Sequence, residues 1–456
     1  MSMITGVKPH TENKVTINRH VAKSTAVGAL GGLLFGFDTA VISGATNALT
    51  HTYHLTPFLL GVTVSSALLG TVIGAMTAGI PGQRFGRRDS LRVMAIFYVA
   101  SALGCAFAWN WSSLIFFRFI GGLGIGGSSV LGPMYIAEIA PAQWRGRLVG
   151  FFQVNIVVGI LLAYLSNAVI DTMRLGSTEW RWQLGISALP AVLFLVALFG
   201  IPRSPRWLVM QSRFDEALHV LHLTGAPKPE DELNEIIASV HLERDASADP
   251  LFSRQYRFPV FLAITVGMFC QLSGINAILY YLNDIFALAG ASKVSGALQA
   301  VAVGTMNLVA TLAAMSVIDR FGRKKLLLVG TVGLALCLAA ISFVFMTHRH
   351  LQSLVWLLMA YIACFAVSQG AVVWVYISEV FPNRVRAKGQ ALGSSSHWVT
   401  NAIISLIFPI MAGSSGAYPF IFFGAMMVLD FFLILKYYPE TKGISLEEMQ
   451  HRFGIE

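Results

Sequence analysis

Residues 84–88 read RFGRR and residues 320–324 read RFGRK, while residues 135–145 read YIAEIAPAQWR and residues 376–386 read YISEVFPNRVR. The first pair is separated by 320 − 84 = 236 positions and the second by 376 − 135 = 241. Two unrelated signals recurring at nearly one spacing, in the same order, mark an internally duplicated chain. Each copy sits between long apolar stretches, so the unit that was duplicated is a bundle of membrane-crossing helices.

The composition agrees. Of 456 residues, 55% are hydrophobic and only 12% charged, about half the roughly 25% charge of soluble chains. Forty-two Gly and 31 Phe suit a bilayer, where both are tolerated in helices. A purely soluble, disordered or nucleic-acid-binding protein is excluded on the same grounds. Twelve segments reach the ~20 apolar residues that a crossing helix needs. They centre near Leu34, Gly70, Val99, Gly122, Val158, Leu193, Met268, Gly304, Leu334, Ala363, Ile403 and Met427. None alternates with period two, so they are helices and not barrel strands.

Charge placement orients them. The second connection carries Arg84, Arg87, Arg88 and Arg92, the fourth Arg145 and Arg147, the eighth Arg320, Arg323, Lys324 and Lys325, and the tenth Arg384, Arg386 and Lys388. Connections one, three and eleven carry no Lys or Arg. By the positive-inside rule the even connections and both termini are cytoplasmic. The net charge of +9 therefore reports topology and not an anionic partner.

The expected organisation is a cytoplasmic tail over 1–22, a six-helix bundle over 23–202, a cytoplasmic linker of short helices over 203–257, a second bundle over 258–438 and a tail over 439–456. The linker stands out because nine acidic residues fall between Pro202 and Arg257, among amphipathic stretches such as 213–223 and 230–240. The N-terminal segment lacks the apolar core of a signal peptide, so the first span is expected to stay in the mature protein. Cys105, Cys270, Cys337 and Cys364 all lie in apolar runs without metal-ligand spacing and read as small buried hydrophobes.

In each copy of the second motif a Glu precedes an Arg by seven positions, Glu138 with Arg145 and Glu379 with Arg386. Read locally, these are surface ion pairs worth under ~1 kcal/mol each. Read through the duplication, the charges of the two halves meet at one membrane face and latch it while the opposite face is open, a gating role. The RFGRR and DRFGRK turns share that role or anchor the topology.

Two further charges lie at membrane depth, Asp38 in the first span and Arg118 in the fourth. Such groups cost at least ~2.5–3.5 kcal/mol to insert and normally face a partner or a cavity. Opposite in sign, they would neutralise each other, either as a structural bridge or as a proton-coupling pair. Contact with Arg118 favours the ionised acid, and separation in a desolvated site favours the protonated one. A movement that parts them would thus load a proton.

GGLLFGFDTAVISG at 31–44, RFGRR at 84, YIAEIAPAQWRG at 135, SPRWL at 204, QLSGINAILYY at 271, DRFGRK at 319, ISEVFPNRVRAKG at 377 and PETKG at 439 come in one order along nearly the whole chain. They resemble the sugar porter family of the major facilitator superfamily, and most closely its bacterial xylose-type sugar/proton symporters. The resemblance implies two pseudo-symmetric six-helix bundles around a central sugar site, with alternating access by rocking. It also implies proton coupling at Asp38, because the symporters carry an acid there and the animal facilitative carriers an Asn.

A neutral sugar offers hydroxyls and CH faces, so its site needs uncharged hydrogen-bonding groups and an aromatic platform. The resemblance implies this role for Gln153 in the fifth span, Gln271 and Asn276 in the seventh, Asn307 in the eighth and Trp374 in the tenth. Phe35, Tyr280 and Tyr281 match residues that flank or gate the pocket, although aromatics in spans also serve packing. A lone Gln or Asn in a bilayer is as well explained by an interhelical hydrogen bond.

The departures from the family bear on which sugar. Cys270 stands where a Gln is usual, Gln369-Gly370-Ala371 replaces a Gly-Pro pair and so removes a helix-breaking Pro, and Ile160 stands where xylose symporters have Gln. His397 stands where related carriers have Gln or Asn; it either bonds a sugar hydroxyl or backbone as a neutral imidazole or joins the proton path. Together these favour a hexose over a pentose. Arg203 replaces the Glu usual before SPRWL, so the charge latch there is rearranged or weaker. Asp430 in the twelfth span has no assigned role.

GLGIGG at 122–127 follows no strand and reads as close helix packing, not a dinucleotide loop. NWS at 110–112 fits a glycosylation acceptor on a very short loop. No Walker A loop, metal cluster or nucleophile–base pair is visible, so neither enzymatic activity nor a cofactor is expected. The expected protein is an all-α membrane protein of twelve transmembrane helices in the major facilitator fold, a monomer in a bacterial inner membrane. It imports a monosaccharide with a proton. A facilitator for a sugar, polyol or inositol and a non-transporting sugar sensor are the alternatives; the short tail after PETKG argues against the sensor.

Overall fold

The computed structural model describes residues 17–246, 250–382, 384–444 and 446–455. Residues 1–16 of the expected N-terminal tail lie outside them. Among the described residues twelve helices are long and apolar enough to cross a membrane. Spans one to six run Arg19–Tyr53, Pro57–Arg84, Arg87–Ala106, Trp111–Ile139, Arg145–Met173 and Gly176–Gly200. Spans seven to twelve run Arg254–Tyr280, Ser295–Ser316, Arg323–Thr347, Leu351–Glu379, Arg386–Ser414 and Tyr418–Tyr437. The chain is an all-helical multi-pass membrane protein.

Local chemistry sets the ends. Asn18 starts span one by accepting the Val21 amide at 2.9 Å, Asn110 and Ser113 close a capping box on span four, and Thr56 caps span two. Both RFGR turns open a span at a left-handed glycine, Gly86 at φ +91° and Gly322 at φ +87°, which a residue with a Cβ rarely adopts. The GLGIGG stretch acts in packing, as expected: a Cβ at Gly122 would lie 1.9 Å from the Ala67 carbonyl oxygen, and one at Gly126 2.1 Å from that of Thr71. Spans two and four therefore touch backbone to backbone.

Two spans are broken. Span seven turns at Gly274 (φ +88°), dividing Arg257–Leu272 from Ile275–Tyr280, and continues as Leu282–Leu288. Span ten breaks at Ser368 (φ −110°, ψ −95°) between Leu354–Val367 and Gln369–Glu379. That second break occurs without the proline whose loss was noted in the sequence. A local bond and a contact between spans accompany it instead: Ser368 Oγ donates to the Cys364 carbonyl one turn back at 2.6 Å, and its side chain fills the space left by Gly330 of span nine.

The linker segment contributes helices Pro205–Met210, Phe214–Thr224 and Pro229–Ala246 on one face of the molecule, here the linker face. Trp207 is buried there and its indole N–H donates to the Gln83 carbonyl at 2.8 Å, while the Asn18 amide reaches the Leu223 carbonyl at 2.8 Å. The linker helices thereby extend the core of the first half.

The distribution of apolar packing is uneven across the membrane. Toward the far face, both halves contribute to one continuous core, from Ala45, Leu49 and Tyr164 of the first half to Tyr281, Phe286 and Phe408 of the second. Toward the linker face two separate cores appear, one around Leu91, Ile139 and Trp207 and the other around Leu327, Val380 and Tyr438. The halves are therefore joined at the far face and parted at the linker face.

Candidate functional site

The centre of the molecule gathers the uncharged groups that the sequence singled out. Gln271 and His397 meet at 2.8 Å between the amide Nε2 and the imidazole Nε2, both buried. The imidazole ring lies 4.9 Å from the ring of Trp374 and 5.3 Å from that of Trp398, which in turn sits 5.3 Å from Phe35 of span one. Trp374 is 40% exposed, which leaves part of its indole available as an apolar platform. Four of the expected residues, Phe35, Gln271, Trp374 and His397, thus form one chain of contacts running from span eleven to the first half.

The remaining amides are placed differently. Gln153 and Asn276 are half-buried and Asn307 is buried, and among the described residues no hydrogen bond engages their side chains. They keep unused donors and acceptors in spans five, seven and eight. Tyr280 accepts from the Asn401 amide at 3.0 Å, and Ser405 Oγ donates back to Asn401 at 3.2 Å. Tyr281 is fully buried, donates to the Ser405 carbonyl at 2.9 Å and stacks on Phe408 at 4.9 Å. It seals the far-face end of the centre. Asn401 and Trp398 were not singled out in the sequence, although both lie within one turn of His397 on the same span.

Asp38 and Arg118 approach to 3.9 Å, close enough for attraction and too far for a hydrogen bond. The guanidinium is buried, its Nε has no hydrogen-bond partner among the described residues, and the carboxylate is 19% exposed. Both line a small cavity together with Phe35, Thr39, Tyr280 and Trp398. The charged pair of one half and the aromatic residues of the other thus share one space.

The charges at the linker face pair otherwise than expected. Glu138 binds Arg87 at 2.8 Å and not Arg145; Glu379 binds Arg323 at 3.0 Å. The two bridges are duplicates, since Arg87 and Arg323 occupy the same place in the two RFGR turns. Each ties span three to four, or nine to ten, inside one half, because the turn arginine projects back over the helix end that carries the glutamate. Arg145 instead faces Glu232 of the linker, whose carboxyl is pushed up by burial and by Glu235 and pulled down by Arg145.

The tyrosine at the start of each second motif confirms the duplication, since Tyr135 donates to the Pro202 carbonyl at 2.8 Å and Tyr376 to that of Pro439 at 3.1 Å. The next residue differs. Glu440 accepts the backbone N–H groups of Arg323 at 2.8 Å and Lys324 at 3.1 Å, a carboxylate on a helix N-terminus. Its counterpart Arg203 cannot do so, and reaches Asp89 at 3.1 Å, which also binds Arg92 at 2.8 Å. The latch of the first half is therefore rearranged, with the acid moved onto the span.

The ion pairs that do cross between halves lie at the far face. Lys293, which opens the helix Lys293–Phe321 that contains span eight, binds Glu179 of span six and lies 3.6 Å from Asp171 of span five. Asp171 also accepts from Gln183 at 3.0 Å, and Tyr164 of span five donates to the Leu279 carbonyl of span seven at 2.9 Å. These three charges each stand alone at a span end and form no local pattern; the one signal in the sequence is that unlike charges of the two halves end on the same face.

The sugar (and other) transporter family matches residues 24–453. The chain is 38% identical to the arabinose-proton symporter of Bacillus subtilis (strain 168), over 92% of each chain. It is 35% identical to the D-xylose-proton symporter of Escherichia coli (strain K12), over 94% of this chain and 95% of that one. Among solved structures, the partially occluded inward-open conformation of the xylose transporter XylE from E. coli superposes with a TM-score of 0.85 at 33% identity, covering 94% of this chain and 100% of that chain. With a duplicated twelve-span fold, a polar aromatic centre and matches over nearly its whole length, the chain belongs to the sugar (and other) transporter family.

Proposed function

We propose that the protein is a secondary transporter that imports a monosaccharide together with a proton by alternating access. The observation that carries this reading is the cavity shared by Asp38 and Arg118 with Tyr280 and Trp398, because it lets the state of the charged pair and the position of the second half influence each other. A bridge stretched to 3.9 Å is poised between paired and parted. Sugar hydroxyls would bond Gln153, Gln271, Asn276, Asn307 and His397, with Trp374 and Phe35 as apolar platforms and Tyr280 and Tyr281 closing the far side. Glu138, Arg145, Glu379 and Arg386 would act on gating from the linker face. The named symporter relatives, for arabinose and D-xylose, support sugar and proton as the transported pair.

A hexose is the favoured sugar. Ile160 is buried and apolar where a further amide would suit a pentose, and Cys270 is buried in the second half's core, away from the site. The protein works as a monomer in a bacterial cell membrane, with the linker face cytoplasmic.

The test is internal pH in proteoliposomes holding the purified protein while glucose, galactose, fructose, xylose or inositol is added outside. Acidification with one sugar is the expected result and names the substrate. Entry of labelled sugar without acidification would convert the reading to facilitated transport, and no entry with any of the five would overturn it.

A further inference from the structure

Span twelve carries Asp430 into the interior of the second half, where it is 2% exposed. Among the described residues it forms no ion pair within 4 Å. The groups that act on it from spans seven and ten and from beyond the end of span twelve are all neutral. Span seven presents the Cys270 thiol, and Tyr438 beyond the end of span twelve donates to Thr265 at 2.9 Å. Of the cations that open span nine, Arg323 is held by Glu379, and Lys324 donates to the Leu435 carbonyl at 3.1 Å, five residues or ~7.5 Å of helix beyond Asp430.

What does reach Asp430 is an amide. Gln369 Nε2 donates to Asp430 Oδ2 at 2.9 Å, and Gln369 Oε1 is buried with no hydrogen-bond partner among the described residues. An ionised carboxylate satisfied by one neutral donor at this depth is strongly disfavoured, and the orphaned amide oxygen adds its own cost. One proton relieves both. A carboxylic acid and a primary amide form a two-point pair, in which the acid O–H donates to the amide oxygen while the amide N–H donates to the acid carbonyl. Reversing the amide gives the same answer, since its oxygen would then face Oδ2 and require a donor there.

We propose that Asp430 and Gln369 form a second proton-binding site, in the half opposite to Asp38. Its place matters, because Gln369 is the first residue after the Ser368 break and precedes Trp374 by five positions. The proton secures the side chain that follows the break; its loss leaves that end of the helix held by a single bond to a charge. The assignment stands on its own geometry and does not depend on the sugar/proton reading above.

Infrared difference spectra of the purified full-length protein test it. Wild type minus Asp430→Asn, at neutral pH, should contain the carbonyl stretch of a protonated carboxyl group, shifted in deuterated water, and the band should persist in Asp38→Asn. Gln369→Ala should move the band to the frequency of an acid without an amide partner. A difference spectrum showing only carboxylate bands, or a band untouched by Gln369→Ala, would overturn the proposal. Should Asp430→Asn fail to fold, the Gln369→Ala shift decides alone.

Discussion

At the scale of the residue, the central pair of Gln271 and His397 links the aromatic platform to the amides of span seven. A buried hydrogen bond of this kind contributes about 1 kcal/mol, and its loss also strands the Gln271 amide. His397→Ala should therefore weaken sugar binding by about tenfold, read as the dissociation constant by calorimetry, with His397→Gln recovering most of it; equal losses in both variants would remove His397 from the site. Asp38→Asn, which keeps the shape and removes the charge, should abolish proton-driven accumulation while sugar exchange down its own gradient continues. Loss of exchange as well would make the pair with Arg118 structural. The amide and aromatic residues came from the resemblance of the motifs to a family, since a polar group within an apolar span by itself fits an interhelical hydrogen bond equally well. The partner of Asp430 was not legible: a residue on another span 61 positions away leaves no local pattern.

At the scale of the element, Glu440 shows how a short tail helps define a helix. Burial raises its carboxyl, but the backbone N–H groups of Lys442, Arg323, Lys324 and Thr441 outweigh that and hold it below the usual carboxylate range. Since the folded value is depressed, the stabilisation is present above the unfolded value of ~4.3 and is lost as pH falls through the folded one. Glu440→Gln should lower thermal stability at neutral pH by about 1 kcal/mol, in line with a charge at a helix terminus. The gap between wild type and variant should close in acid; a gap independent of pH would mean that the charge is irrelevant. The spans themselves were legible because length and apolarity determine them. The break at Ser368 was not, because with the proline gone it rests on Gly330 of span nine and on the reach of Gln369 to Asp430. The ion pairs of the linker face show the same limit: a spacing of seven in sequence suggested Glu138 with Arg145, whereas the turn geometry at Gly86 delivers Arg87.

At the scale of the whole molecule, the two halves touch closely where they are joined. A Cβ at Gly61 of span two would fall 2.2 Å from the Leu406 carbonyl oxygen of span eleven, so these backbones meet directly. Lys293 adds charge to the same closure, holding Glu179 and Asp171, both carboxylates buried. Lys293→Gln should favour separation of the far-face ends by about 1 kcal/mol, near fivefold in population. Spin labels at the exposed Met173 and Arg349, one in each half, should report a larger share of long distances in the variant, with the four native cysteines replaced. An unchanged distance distribution would show that apolar packing alone holds that face. The duplicated architecture was legible from two repeated motifs, whereas which face is shut was not, since both arrangements use the same sequence.

The uneven core carries a consequence for how the protein meets small molecules. A compound reaching the centre from the linker side finds a form that is already open to it. One arriving from the far side binds only the fraction of molecules whose shared core has come apart; if that fraction is about one in a hundred, its apparent affinity falls by about the same factor. The same inhibitor applied to right-side-out and inside-out vesicles should thus differ in potency by the ratio of the two populations, which turns a dose–response curve into a measure of the resting equilibrium.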